Sequence, residues 1–134
     1  MKFLLDTDIC IELIRHKPTT LLEKLISQPV GDVGLSAITV AELQYGVWKS
    51  SRTAQNADAL ALFLLPLAVA DFDFRAAEAY GQVRGGLEKA GATIGPLDML
   101  IAAHAVSLEA VLVTNNVAEF GRVAGLRVEN WLEA

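Results

Sequence analysis

The sequence predicts an α/β fold, a three-layer α/β/α sandwich around a central parallel sheet of four to five strands. Three observations carry this. Short apolar runs, KFLL, VGL, LAVA and VLVT, alternate along the 134 residues with longer apolar stretches of helical spacing. The hydrophobic content of 53% and mean hydropathy of +0.40 suit a parallel sheet covered on both faces. The order β, α, α, β, α, α, β, α, α, β, α, β is one that right-handed crossovers wind into such a sandwich.

Residues 2 to 5 read as a buried strand, and the stretch Asp6 to Arg15 carries Ile9, Leu13 and Ile14 at helical spacing. Lys17 and Pro18 end that helix. A second helix, Thr20 to Gln28, repeats the pattern with Leu21, Leu22, Leu25 and Ile26, and a brief strand follows at Val33 to Leu35. Ser36 caps a third helix to about Ser50, and a fourth runs from Ala54 to Leu64 before Pro66. Leu67 to Ala70 is the next strand, and Asp71 or Asp73 starts a long helix to Lys89. Its glycines Gly81, Gly85 and Gly86 suggest either close packing or a bend, since each lowers helix propensity by up to about 1 kcal/mol. Leu97 to Leu108 is apolar nearly all round, as a central helix should be. Val111 to Thr114 is a strand, Val117 to Phe120 a short helix or turn, and Leu126 to Val128 an edge strand.

The length suits a single domain, residues 1 to 134, able to bury a core without staples. The longest apolar run, ALALFLLPLAVA, is broken by Pro66 and falls short of the roughly 20 residues that span a bilayer. The amino end lacks the pattern of a secretory signal, so a cytoplasmic protein with no membrane role is expected. Cys10, the single cysteine, permits no internal disulfide and reads as a small packing residue. The net charge of −5 argues against bulk electrostatic binding of nucleic acid without excluding a local contact.

Four positions carry the chemistry. Asp6 closes the first strand, Asp98 follows Gly95 and Pro96 at the head of an apolar helix, and Asn116 follows VLVT. Glu42 lies within SAITVAELQYG, about two turns after Ser36. If the strands are parallel and adjacent, the loops at their carboxyl ends share one crevice. Acids gathered there repel one another and resist burial unless a hard divalent cation holds them. Asp6 and Asp98 are the candidate ligands, with Glu42 binding directly or orienting a water and Asn116 lending an amide oxygen. The same residues read equally as helix caps, each worth about 1 kcal/mol, and spacing alone leaves both readings open.

The segments LLDTDI, SAITVAELQYGV, IGPLDMLIAAHA and LVTNNVAEFGRVAGLRVENW resemble, in order and over essentially the whole chain, the motifs of PIN-domain ribonucleases of the VapC toxin type. The resemblance implies a Mg²⁺- or Mn²⁺-dependent endoribonuclease acting on RNA. It also implies a homodimer, joined to a cognate VapB-type antitoxin in a heterotetramer or larger assembly. By motif, Asp6, Glu42 and Asp98 match the family's acids, while its fourth acidic position falls on the neutral Asn116. Asp8 stands where asparagine is more usual in the family and is expected to restore charge near the pocket. Thr7, Asp8, Thr114 and Asn115 are the neighbours expected to orient the metal-binding carboxylates.

His104 lies six residues after Asp98, on a different helical face, and reads as a core histidine. Trp48 and Trp131 read as packing at a subunit or partner surface. The antitoxin is expected in an apolar groove built from the first two helices and the third. One rival is an aspartyl-nucleophile phosphatase, suggested by LLDTDI but lacking the later lysine and acid pair. The other is a catalytically weak domain that serves as an antitoxin-binding co-repressor subunit, suggested by Asn116.

Overall fold

The computed structural model describes residues 1–133. Its elements are β1 (Phe3–Leu5), α1 (Thr7–Arg15), α2 (Thr19–Ile26), β2 (Val33–Ser36), α3 (Ala37–Lys49) and α4 (Thr53–Leu64). They continue with β3 (Ala68–Ala70), α5 (Phe74–Lys89), α6 (Pro96–Leu108), β4 (Val111–Val113), α7 (Val117–Phe120) and β5 (Val128–Glu129). This is the expected order. The last strand begins two residues later than its apolar pattern suggested, because it pairs through Leu112 with Val128 and Val113 with Glu129.

All five strands are parallel, in the order β3-β2-β1-β4-β5. Chain progress reverses at β1, which lies between β2 and β4, and a parallel sheet opens its crevice at that switch point. The register places Leu5 beside Val113 and Ser36 beside Ala70. The residues that follow these strands therefore leave the sheet along one edge.

Strand alternation divides the interior. Leu4 and Leu112 face a core shared with α5 and α6, through Val83, Leu87, Ile101 and Ala102. Leu5, Leu35 and Val113 face the opposite core, shared with α1 and α3 through Ile9, Leu13, Leu43 and Val47. Trp131 belongs to this second core rather than to a surface: it is 1% exposed, its ring meets Phe3 edge-on at 5.0 Å, and its Nε1 donates to Glu129 Oε1. Trp48, 75% exposed on α3, remains a surface residue.

Side-chain caps start three helices. Asp6 Oδ1 accepts from the Thr7 N–H, Ser36 Oγ from Ile38 and Asp73 Oδ1 from Ala76. Asp73, not Asp71, is thus the cap of α5. That helix runs unbroken past its glycines, and a Cβ added at Gly81, Gly85 or Gly86 would meet nothing within 4 Å. Close packing does not account for them.

Candidate active site

Asp6, the residue after β1, is 5% exposed, and its backbone N–H donates to Val113 on the neighbouring strand. The carboxylate is fixed from two sides: Thr7 N–H donates to Oδ1 at 2.8 Å and Thr114 Oγ1 to Oδ2 at 2.7 Å. Burial and, after it, the adjoining Asp8 carboxylate push Asp6 up to about 8, against the opposing pull of the Thr114 and Thr7 donors. Asp8 leaves one buried oxygen, Oδ1, with no partner among the described residues.

Glu42 reaches this edge from α3, where Thr7 Oγ1 donates to its Oε1 at 2.8 Å. Thr7 thus serves two acids, Asp6 through its N–H and Glu42 through its hydroxyl. The buried Thr39 hydroxyl lies 3.4 Å from the same oxygen of Thr7.

Asp98 occupies the first turn of α6, behind Gly95 and a proline at the first helical position. Burial first, then Glu119, and then Glu42 and Asp8, raise it to about 6. Glu119 was not singled out by the sequence. It lies on the one-turn helix α7, accepts from the Gly95 N–H at 3.2 Å and from Asn116 Nδ2, and stands against Asp98. Its spacing three residues after the helix-capping position Asn116 was the available signal, since acids favour that place in a first turn.

Asn116 therefore turns its amide nitrogen to Glu119, while its backbone N–H donates to Thr114 Oγ1 at 3.0 Å. Asn115 points elsewhere. Its Oδ1 accepts from Asn130 Nδ2 in the carboxyl-terminal tail. Cys10, buried below Asp6, has its thiol pushed far up by burial and by Asp6, so it stays protonated and packs as a small apolar group.

Asp6, Asp8, Glu42, Asp98 and Glu119 thus form one acidic edge whose members repel one another. Among the described residues no group of three or more histidine, cysteine, aspartate or glutamate side chains is placed so that it could hold a metal ion as it stands. The donor set nevertheless fits a hard divalent cation. It offers carboxylate oxygen alone, two of the acids are raised, and one buried carboxylate oxygen is unpartnered.

An all-parallel, helix-covered sheet with acids assembled at its switch point is the architecture of a nuclease domain of the PIN type. The PIN-domain family model matches residues 3–126. Ribonuclease VapC2 of Rickettsia felis is 42% identical over 132 residues, 98% of each chain. The tRNA(fMet)-specific endonuclease VapC of Shigella flexneri is also 42% identical, again over 98% of each. Among solved structures, VapBC from Salmonella typhimurium bound to DNA superposes with a TM-score of 0.94 at 40% identity, covering 98% of each chain. VapBC2 from Rickettsia felis, bound to a DNA fragment from its promoter, gives 0.90 at 42% identity, covering 98% of this chain and 99% of that one. The chain belongs to the VapC ribonucleases of the PIN-domain family.

Proposed function

We propose that this protein is the toxin of a type II toxin–antitoxin pair, an endoribonuclease that hydrolyses RNA phosphodiester bonds with Mg²⁺ or Mn²⁺. The observation that carries this reading is the oxygen-only acidic edge at the β1/β4 switch point, in a chain of VapC sequence and fold. Asp6 and Asp98 would hold the cation, with Asp8, Glu42 and Glu119 around them. A divalent cation bound there neutralises charge on the phosphodiester and acidifies water.

The chain's own residues supply the rest. Thr114 and Thr7 hold the Asp6 oxygens in place, so the carboxylate needs no reorientation when the ion or RNA arrives. Glu42, fixed by the Thr7 hydroxyl, accepts a proton from the attacking water as it approaches phosphorus in line. Glu119 is held by Gly95 and Asn116 beside Asp98 and brings a carboxylate to the quarter where Asn116 has none. A carboxylate in that quarter favours the cutting enzyme over a non-cutting co-repressor, whose motive was a site short of one acid.

Relatives crystallised as VapBC pairs support a VapB-type antitoxin as partner. A groove of about 580 Å³ between α1, α3 and α4, lined by Ile11, Ile14, Ile38, Tyr45 and Leu97, opens beside Thr7 and Glu42. It suits the apolar face of an amphipathic segment. The fourth helix, rather than the second, forms its far wall. No described helix is long and apolar enough to cross a membrane.

The test is cleavage of total RNA by the protein freed of its partner, with Mn²⁺ or Mg²⁺, beside Asp6→Ala and a chelator control. Metal-dependent cleavage lost in Asp6→Ala supports the reading. Parental cleavage by that variant, or none by the native protein across transfer, ribosomal and messenger RNA, overturns it.

A further inference from the structure

His104 is 1% exposed, and its Nδ1 lies 2.7 Å from Ser36 Oγ, which is 0% exposed. That serine oxygen already accepts the Ile38 N–H that opens α3. A hydroxyl has one proton to give, and its remaining partner here is the imidazole, so Ser36 donates and Nδ1 accepts. The ring is then neutral, with its proton on Nε2. Burial likewise pulls its protonation below the ordinary histidine value. Nε2 is buried with no hydrogen bond of full geometry, its nearest acceptor being the Asp71 backbone, which favours its proton only weakly; the ring stands edge-on to Phe72 at 5.2 Å.

A buried donor without a well-formed hydrogen bond is destabilising. A core position chosen for packing alone would be filled better by leucine or phenylalanine. The polar ring is explained by what its other nitrogen holds. Ser36 is the root of α3, six residues before Glu42, and His104 is on α6, six residues after Asp98. We propose that His104 is a positioning residue: through Ser36 it locks the start of α3 onto α6, and so sets where Glu42 stands relative to Asp98. Thr7 fixes the Glu42 carboxylate at its tip, and the His104–Ser36 bond fixes the helix that carries it.

This inference rests on the nuclease reading for its rate measurement and on the fold alone for its structural one. In His104→Leu the core is filled and the orphan donor removed, but Ser36 loses its acceptor. In His104→Asn the amide oxygen can take the place of Nδ1 and keep Ser36 paired, at the cost of lost ring volume. Stability and rate should therefore move oppositely. His104→Leu exchanges one buried orphan donor, Nε2, for another, the Ser36 hydroxyl, so it is expected to melt near the parental temperature yet cleave RNA up to about 100-fold more slowly, the scale of a misplaced catalytic group. RNA binding should be unchanged. His104→Asn should melt lower and retain more of the rate, and Ser36→Ala should slow the native protein but not His104→Leu. If the rates simply follow melting temperature, or His104→Leu cuts at the parental rate, the proposal is overturned. Amide exchange at Ile38 separates this from failure of the nuclease reading. It should be faster in His104→Leu whether or not the parent cuts RNA, and unchanged exchange overturns the positioning role.

Discussion

Thr114 and Asp6 are 108 residues apart in sequence, and the threonine hydroxyl donates to the Asp6 carboxylate at 2.7 Å. The same oxygen accepts the Asn116 N–H, so one hydroxyl joins the acid at the end of β1 to the loop that leads into α7. The bond is buried, and once a cation ionises Asp6 it becomes a hydrogen bond to a charged group, the kind that contributes about 1.5–3 kcal/mol.

Replacing Thr114 by valine keeps the shape and removes both bonds. Cleavage should fall about 10- to 100-fold, the usual cost of losing an orienting partner of a metal-binding carboxylate. Thr114→Ser, which retains the hydroxyl, should stay near the parental rate. Steady-state kinetics on a defined RNA, with circular dichroism to confirm folding, distinguishes the pair. Equal loss in both variants would mean that the methyl group, not the hydroxyl, matters.

The raised acids set the pH response. Asp6 rises from 3.8 to about 8 on folding, so the folded chain holds that proton more tightly than the unfolded chain does. In a chelator this contribution favours the folded state at low pH and is lost as pH climbs from about 4 to about 8. His104 acts in the opposite sense, but only below its ordinary value of 6.5. Between about pH 6.5 and 8 the metal-free melting temperature should therefore fall, and the gain on adding Mn²⁺ should widen as ligand protons are lost. Differential scanning fluorimetry with and without Mn²⁺ reads both slopes. A metal-free stability that rises across this interval contradicts the buried, protonated Asp6.

Gly95 is wedged between two acids. Its N–H donates to Glu119, and an added Cβ would lie 3.3 Å from Asp98 Oδ2. Gly95→Ala should displace the Asp98 carboxylate by a few tenths of an ångström and slow cleavage several-fold, short of the roughly 100-fold that accompanies a displacement of about 1 Å. Gly85→Ala on α5 is the contrasting case. Its added methyl meets open space, so stability should rise by up to about 1 kcal/mol with the rate unchanged. Urea unfolding and kinetics on both variants check the contrast.

The elements were legible because each buried strand is a short apolar run beside a turn signal, and each long helix carries an apolar stripe or an apolar surround. Their boundaries held where a capping side chain marks them, as Asp6 and Ser36 do. β5 was displaced because an edge strand of two residues has too little period to fix its register. Asp6 and Asp98 were legible as acids at element ends, and Glu42 as an acid on one face of the third helix. Their approach to one edge depends on the strand order β3-β2-β1-β4-β5, which no local pattern encodes. Glu119 escaped because a single turn shows no helical face, and the family motif puts the fourth acidic position on Asn116, just past the strand end. Trp131 escaped because its burial comes from Phe3, at the opposite end of the chain.

Glu119→Gln separates charge from shape at that fourth position. The amide oxygen can still accept the Gly95 N–H, so the loop ahead of α6 should stay in place and the melting temperature should change little. The carboxylate that presses on Asp98 is gone, however, and Asp98 should ionise at lower pH. If Glu119 served only to restrain the loop, cleavage would be nearly parental. If its charge helps hold the cation, Mn²⁺ affinity and cleavage should both drop about 10- to 100-fold. Asn116→Ala leaves the acid intact and removes one of its two restraints, so it should cost less than Glu119→Gln. Isothermal titration with Mn²⁺ on the three proteins ranks them, and a larger loss from Asn116→Ala would return the fourth position to the amide.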